Sequence, residues 1–114
     1  MLKLISNVTH VLPVQKVLLN WHQHPHVLYY HMVADRKPDY YYQQPISVDD
    51  FRYQLEWLKK NRFEFVSLAD IGKTTNRRQV AITTDDGFCE NYTNLAPVLS
   101  DYKIPATFFL INSC

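Results

Sequence analysis

Two short segments, residues 80–84 and 106–111, most constrain the fold of this chain because their apolar residues are continuous and do not alternate with polar ones. Runs of this kind and length are typical of strands that are buried on both faces of a parallel sheet. Between them, residues 91–103 place four apolar side chains at helical spacing, namely Leu95, Val98, Leu99 and Tyr102. The alternation of strands and helices predicts βα units and a mostly parallel α/β sheet.

The segments upstream of residue 80 continue this alternation. Residues 27–33 are short, aromatic and β-branched, which predicts a strand, and residues 63–66 predict a second, shorter one. Ser47 followed three residues later by Asp50 is a helix-start signal. Apolar residues then recur at three- and four-residue spacing to about Asn61, which predicts one amphipathic helix between the two strands.

The bulk composition excludes some partners. The formal net charge of +1 gives no electrostatic reason to expect nucleic acid as a partner. No part of the sequence approaches the roughly 18 consecutive apolar residues of a membrane helix, so we expect no membrane span. No signal peptide is visible, which leaves the localisation open. Two cysteines imply no disulfide framework.

Two adjacent carboxylates end the strand at residues 80–84. Asp85 and Asp86 are followed directly by Gly87, so the chain can turn there and aim both side chains into one cleft. One carboxylate would then hold a divalent cation, and the other would accept a proton. The alternative is a strand-ending turn in which an acid only caps the next segment of the chain. The tripeptide alone leaves both interpretations open.

The order of these elements resembles the polysaccharide deacetylase family, also known as carbohydrate esterase family 4 or the NodB-homology domain. The resemblance covers most of residues 27–111. It depends on the strand that ends Tyr30-His31-Met32-Val33, on the step Phe65-Val66-Ser67-Leu68, and above all on Val80-Ala81-Ile82-Thr83-Thr84-Asp85-Asp86-Gly87-Phe88 and Ile104-Pro105-Ala106-Thr107-Phe108-Phe109. It implies the N-terminal half of a distorted (β/α) barrel. Residues 1–26 would be an N-terminal extension, with a helix after Pro13, and residues 27–114 an incomplete domain.

The resemblance also implies the chemistry. Asp85 would be the general base and Asp86 a ligand of a divalent metal, for which zinc is the first expectation and cobalt or nickel are alternatives. The substrate would be an acetylated polysaccharide or oligosaccharide, cleaved at an acetamide or acetyl ester. The sequence departs from the family pattern at Thr84, where Phe is usual. It also lacks the family's metal-binding histidine pair, since all five histidines precede the acids. We therefore expect weak or no metal binding, and little catalysis, from this chain alone.

His31 and Tyr41 are candidate rim residues of the substrate site. For His31 the sequence favours a packed, hydrogen-bonded core histidine over a position at the rim. Tyr41 belongs to a run, residues 40–42, that fits either sugar stacking or loop packing. The alternating histidines at residues 22, 24 and 26 would share one face of an extended segment. A surface loop around Pro25 explains them better than a metal site.

Three functions compete on the sequence alone. The first is a metal-dependent polysaccharide deacetylase, truncated after its first catalytic motif. The second is a catalytically inactive remnant, or a carbohydrate-binding fragment, of the same fold. The third is a different metal-dependent hydrolase, such as a phosphatase with Asp85 as its nucleophile. The sequence after Gly87 favours the first two over the third.

Overall fold

A four-stranded parallel sheet organises the chain. The computed structural model describes residues 24–111. Within this range the strands are β1 (His26–Tyr30), β2 (Glu64–Phe65), β3 (Gln79–Thr84) and β4 (Ala106–Phe108). The helices are α1 (Val48–Lys60), a π-helical turn (Asn91–Leu95) and α2 (Ala96–Asp101), which follows that turn directly. The predicted α/β class and parallel sheet are confirmed.

β3 is the central strand of the sheet. Along one edge it pairs with β1, from His26 opposite Val80 to Tyr30 opposite Thr84. Its other edge is shared, with β2 beside residues 79–80 and β4 beside residues 82–84. All six residues of β3 are buried, as its continuous apolar sequence predicted. The C-terminal ends of β1, β3 and β4 therefore meet at one side of the sheet, where parallel α/β folds place their sites.

Two neighbouring threonines of β3 are both buried but differ in the hydrogen bonding of their hydroxyl groups. The Thr83 hydroxyl donates a hydrogen bond to the Leu28 carbonyl oxygen at 3.2 Å. The Thr84 hydroxyl has no hydrogen-bond partner among the described residues, although Thr84 is fully buried. Burying a hydroxyl without a partner costs free energy. We therefore expect the Thr84 hydroxyl to lower the stability of the described structure.

Helix α1 packs against β1 through the face that the sequence predicted. The Asp50 N–H donates to the Ser47 side chain at 3.0 Å, which confirms the predicted N-cap. Acidic residues occupy the first turn and basic residues the last, both favourable to the helix dipole. The Tyr30 ring meets Phe51 edge-on at 4.9 Å, and the Tyr30 hydroxyl donates to Gln54 at 2.8 Å. This contact fixes the end of β1, directly before His31.

Several predicted elements differ from the structure in length. β1 ends at Tyr30 instead of residue 33, because the chain then bends and Val33 makes a separate parallel bridge to Ile46. The helix predicted over residues 91–103 begins as a π-helical turn and ends at Asp101. β4 ends at Phe108 instead of residue 111, and residues 108–111 are exposed. The expectation that this strand is buried on both faces is wrong in the described structure. Ala106 packs against the core, but Phe108 and the residues after it are exposed.

Some predictions concern residues outside the described range. The helix predicted after Pro13 and most of the predicted extension, residues 1–26, lie there, so the boundary at residues 26 and 27 stays a prediction. Between residues 24 and 111, no helix combines the length and hydrophobicity needed to cross a bilayer.

Candidate active site

The turn after β3 holds the two carboxylates in place. The Asp85 N–H donates to the Tyr30 carbonyl oxygen at 2.9 Å, which extends the pairing of β1 and β3 by one bond. The next two residues both have positive φ, 71° at Asp86 and 66° at Gly87. Positive φ suits glycine and is tolerated by aspartate, so the Asp-Gly pair can make this tight turn. Because the strand ends at this turn, its side chains no longer alternate between the two faces of the sheet. Both carboxylates can therefore lie on the same side.

His31 meets both carboxylates at this edge of the sheet. Its Nε2 atom lies 3.7 Å from an Asp85 carboxylate oxygen and 3.9 Å from an Asp86 one. The side chains of all three residues are between one third and one half exposed. The parallel register explains the meeting, since His31 follows Tyr30 just as Asp85 follows Thr84. The interpretation of His31 as a core histidine is wrong, and both acids point toward one partly open space.

Tyr41 lies close to the same site but is not an exposed rim side chain. It is buried beside Met32 and Ala34, and its ring meets Phe88 edge-on at 5.3 Å. Burial, followed by electrostatic repulsion from Tyr42 and Asp86, raises the pKa of the Tyr41 hydroxyl above its ordinary value. Tyr41 therefore supports the turn through Phe88, and residues 40–42 do not form one flat stacking surface.

A contact that the sequence did not reveal joins the loop that contains Tyr41 to the segment after the two acids. The Tyr40 hydroxyl donates a hydrogen bond to Glu90, and the Tyr40 ring stacks on Phe88 at 6.2 Å. The hydrogen bond with Glu90 raises the pKa of Tyr40 to about 12 and lowers the pKa of Glu90. Because Tyr40 and Glu90 are 50 residues apart, no local sequence signal predicts this pair.

The remaining candidate residues lie away from the acids. His24 is exposed and His26 opens β1, at the end of the sheet opposite the carboxylates, while His22 lies outside the described residues. The histidines at residues 22, 24 and 26 are therefore not brought to the site. Cys89 is an exposed thiol, and its hydrogen bond to Glu90 raises its pKa, which makes it a poorer nucleophile.

The described residues do not make a complete metal site. Catalytic zinc normally takes three protein ligands and keeps one open position. Within residues 24–111, no group of three or more His, Cys, Asp or Glu side chains is arranged to hold a metal ion. The exposed Asp86 carboxylate suits the role of one ligand, but it does not form a site by itself. The fit to a metal is thus partial.

Comparison with known proteins places this geometry in context. The sequence profile of the polysaccharide deacetylase family matches residues 72–114, which include β3 and both acids. The chain is 30% identical over 90 residues to the poly-β-1,6-N-acetyl-D-glucosamine N-deacetylase of Escherichia coli strain K12. It is 38% identical over 72 residues to the enzyme of the same name from Staphylococcus aureus strain MSSA476.

A solved structure shares the fold. IcaB from Ammonifex degensii superimposes with a TM-score of 0.66 at 32% sequence identity, covering 77% of this chain and 38% of that one. The alignments with the two enzymes cover 74% and 58% of this chain, but only 13% and 24% of the relatives. The chain therefore spans a minor part of the proteins that it matches.

Proposed function

Because the chain belongs to the polysaccharide deacetylase family, we propose that it forms the part of a deacetylase domain that carries the acidic motif. The complete domain would hydrolyse acetyl groups on a carbohydrate polymer. The observation that carries this proposal is the placement of Asp85 and Asp86 at the end of β3, with His31 within 4 Å of both. The names of the curated relatives make the acetamide of a β-1,6-linked N-acetylglucosamine polymer the substrate that we propose.

Asp85 is the general base in this proposal. Hydrolysis of an acetamide requires a water molecule to lose a proton as it attacks the carbonyl carbon, and a carboxylate within hydrogen-bond reach can accept that proton. The backbone of Asp85 is fixed by its hydrogen bond to Tyr30, so the carboxylate starts from a defined position. Its partial exposure leaves room for water and substrate.

His31 supplies the second proton-transfer group. The nitrogen that departs from the acetyl group must gain a proton, and imidazole is the side chain that most often provides one. His31 is the described residue whose ring nitrogen reaches the same space as both carboxylates. We assign it to the leaving nitrogen, which would lie beside the carboxylates that His31 contacts.

Asp86 is assigned to the metal. Family membership implies metal-dependent catalysis in general, and we propose zinc, with cobalt or nickel as alternatives. The metal would polarise the acetamide carbonyl. Since the described residues give Asp86 no companion ligands in a set of three, further ligands have to come from outside residues 24–111. Because the sequence lacks the family's metal-binding histidine pair, we expect residues 1–114 on their own to bind zinc weakly.

A chimeric enzyme tests the proposal. The segment of the Staphylococcus aureus relative that matches this chain would be replaced by the corresponding residues of this chain, and acetate release from an N-acetylglucosamine oligomer would be measured. Asp85→Asn should lower the rate roughly 10²–10⁴-fold, the usual contribution of a general base. Asp70→Asn changes an exposed aspartate in a loop outside the site and should leave the rate unchanged.

Two results would contradict the assignment. A folded chimera that keeps its rate after Asp85→Asn would remove the base from the proposal. Strong zinc binding by the 114-residue chain that survives Asp86→Asn would place the metal elsewhere. Circular dichroism of each variant separates these results from simple unfolding.

A second function is favoured by the incomplete metal site. The chain would bind carbohydrate without hydrolysing it, as a remnant or fragment of the same fold. In that case a folded chimera would release no acetate, with zinc or without it, while the chain would still bind the oligomer. The acetate assay and a binding assay on the same proteins distinguish the two functions.

A further inference from the structure

A cavity of about 340 Å³ lies next to the candidate active site and shares a residue with it. His31, which contacts both acids, also lines this cavity, together with Tyr29 and Tyr41. The other wall is formed by Gln43 and Gln44, in the loop between β1 and α1. Its volume lies at the lower end of the range for small-molecule sites, roughly 300–1,000 Å³, and suits one sugar unit better than several.

The chemistry of the lining selects the kind of ligand. Its polar groups are the His31 ring, tyrosine hydroxyls and two primary amides. Together they can donate and accept hydrogen bonds, as the hydroxyl and acetamide groups of a sugar require. Tyr29 is half exposed and its ring stands edge-on to His31 at 5.7 Å, so an aromatic surface borders the shared residue. No lysine or arginine is among the residues that line the cavity, and the shared His31 already faces two carboxylates, so the lining offers an anionic ligand little attraction.

The wall that carries the amides is held in place before any ligand arrives. The loop is closed at its base by backbone hydrogen bonds between residues 32–34 and Ile46, at 2.8 and 3.2 Å. Gln43 accepts a hydrogen bond from Tyr41 and donates one to Tyr42, at 3.5 and 3.2 Å. Tyr40 adds the bond to Glu90 across the site. The loop backbone and the Gln43 side chain, fixed in this way, lose little conformational entropy when a ligand binds.

We propose that this cavity is a subsite for one uncharged N-acetylhexosamine unit of the polymer, the unit next to the one whose acetyl group reaches Asp85. The identity of the sugar in this subsite rests on the proposed function. It goes beyond that function in assigning recognition to Gln43, Gln44 and Tyr29, which lie outside the acidic motif. Because His31 both lines the cavity and contacts the acids, the two neighbouring units would meet at this residue.

Binding of an oligomer to the full 114-residue chain tests the subsite. A β-1,6-linked N-acetylglucosamine oligomer would be titrated into the ¹⁵N-labelled chain and followed by NMR, with inorganic phosphate as the anionic comparison. We expect shifts at residues 29, 43 and 44, and no competition by phosphate. Gln44→Ala removes an exposed amide and should weaken binding about tenfold, the equivalent of one good hydrogen bond.

A matched control uses another exposed amide. Asn76 precedes β3 at the opposite end of the sheet, so Asn76→Ala should leave the affinity unchanged. Equal affinities for Gln44→Ala and the unsubstituted chain, the lack of any oligomer binding, or displacement of the oligomer by phosphate would each overturn the subsite. The chimera separates this outcome from the proposed function, because acetate release that depends on Asp85 while Gln44→Ala binds normally would refute the subsite alone.

Discussion

The turn that follows the two acids should be the most sensitive glycine position in the described structure. Gly87 has φ of +66°, and a Cβ atom added there would lie 3.0 Å from Leu110 Cδ2. Gly72 has a similar φ of +79° but nothing within 4 Å of an added Cβ. Gly72→Ala therefore measures the backbone cost alone, which we expect to be about 1 kcal/mol of unfolding free energy.

Gly87→Ala should cost more because it adds a steric term to the same backbone term. The Leu110 side chain is 71% exposed, so it can rotate away from the new methyl group. The cost of leaving its preferred rotamer is about 0.5–1.5 kcal/mol. We thus predict a total of about 2 kcal/mol for Gly87→Ala, roughly twice the value for Gly72→Ala.

Urea unfolding followed by circular dichroism provides the measurement. Leu110→Ala removes the atom that the new Cβ would meet, and in that background the two glycine variants should agree to within about 0.5 kcal/mol. If Gly87→Ala is no more destabilising than Gly72→Ala in the unsubstituted chain, the described packing of Leu110 against the turn is wrong. The same conclusion follows if the difference persists after Leu110→Ala.

Three further predictions concern buried polar groups and a helix cap. Thr84→Val removes the unpartnered hydroxyl and should stabilise the chain by about 1 kcal/mol. Thr83→Val loses the hydrogen bond to the Leu28 carbonyl oxygen and should destabilise the chain. Equal effects of the two substitutions on the unfolding free energy in urea would refute this difference. Ser47→Ala should cost about 1 kcal/mol, and a loss below about 0.3 kcal/mol would argue against the cap. Burial raises the pKa of Tyr30 above 10.0, so the contribution of its neutral hydroxyl to stability should be complete below pH 10 and decline as the pH rises further. In thermal melts, Tyr30→Phe should reduce this loss of stability at alkaline pH. An unchanged loss would contradict the prediction.

Local signals predicted the elements that depend on neighbouring residues. The cap at Ser47 and the apolar stripe of α1 involve residues three or four positions apart, and the helix lies where they placed it. The continuous apolar sequence of β3 identified the fully buried strand in the same way. β4 was predicted too long, because apolar composition does not show how far a neighbouring strand extends.

The contacts within the candidate site could not be predicted from any single segment of the sequence. Asp85 and Asp86 were found from their position after a strand, but the contact of His31 depends on the register of β1 against β3. The bond between Tyr40 and Glu90 joins residues far apart in sequence, and neither residue type signals the other. The burial of Tyr41 likewise depends on Phe88, which lies on the far side of the turn.

The positive φ of Asp86 limits which amino acids can substitute for it during evolution without disturbing the turn. Glycine adopts this backbone readily and asparagine tolerates it, so both substitutions keep the turn while they remove the charge. Selection for stability alone would therefore let Asp86 drift to either residue without any sign in the fold. A lineage that no longer uses the chemistry should lose this carboxylate early, while Gly87 beside it persists. If Asp86 holds a metal as proposed, the loss of its carboxylate with Gly87 retained would mark a descendant in which that role has ended.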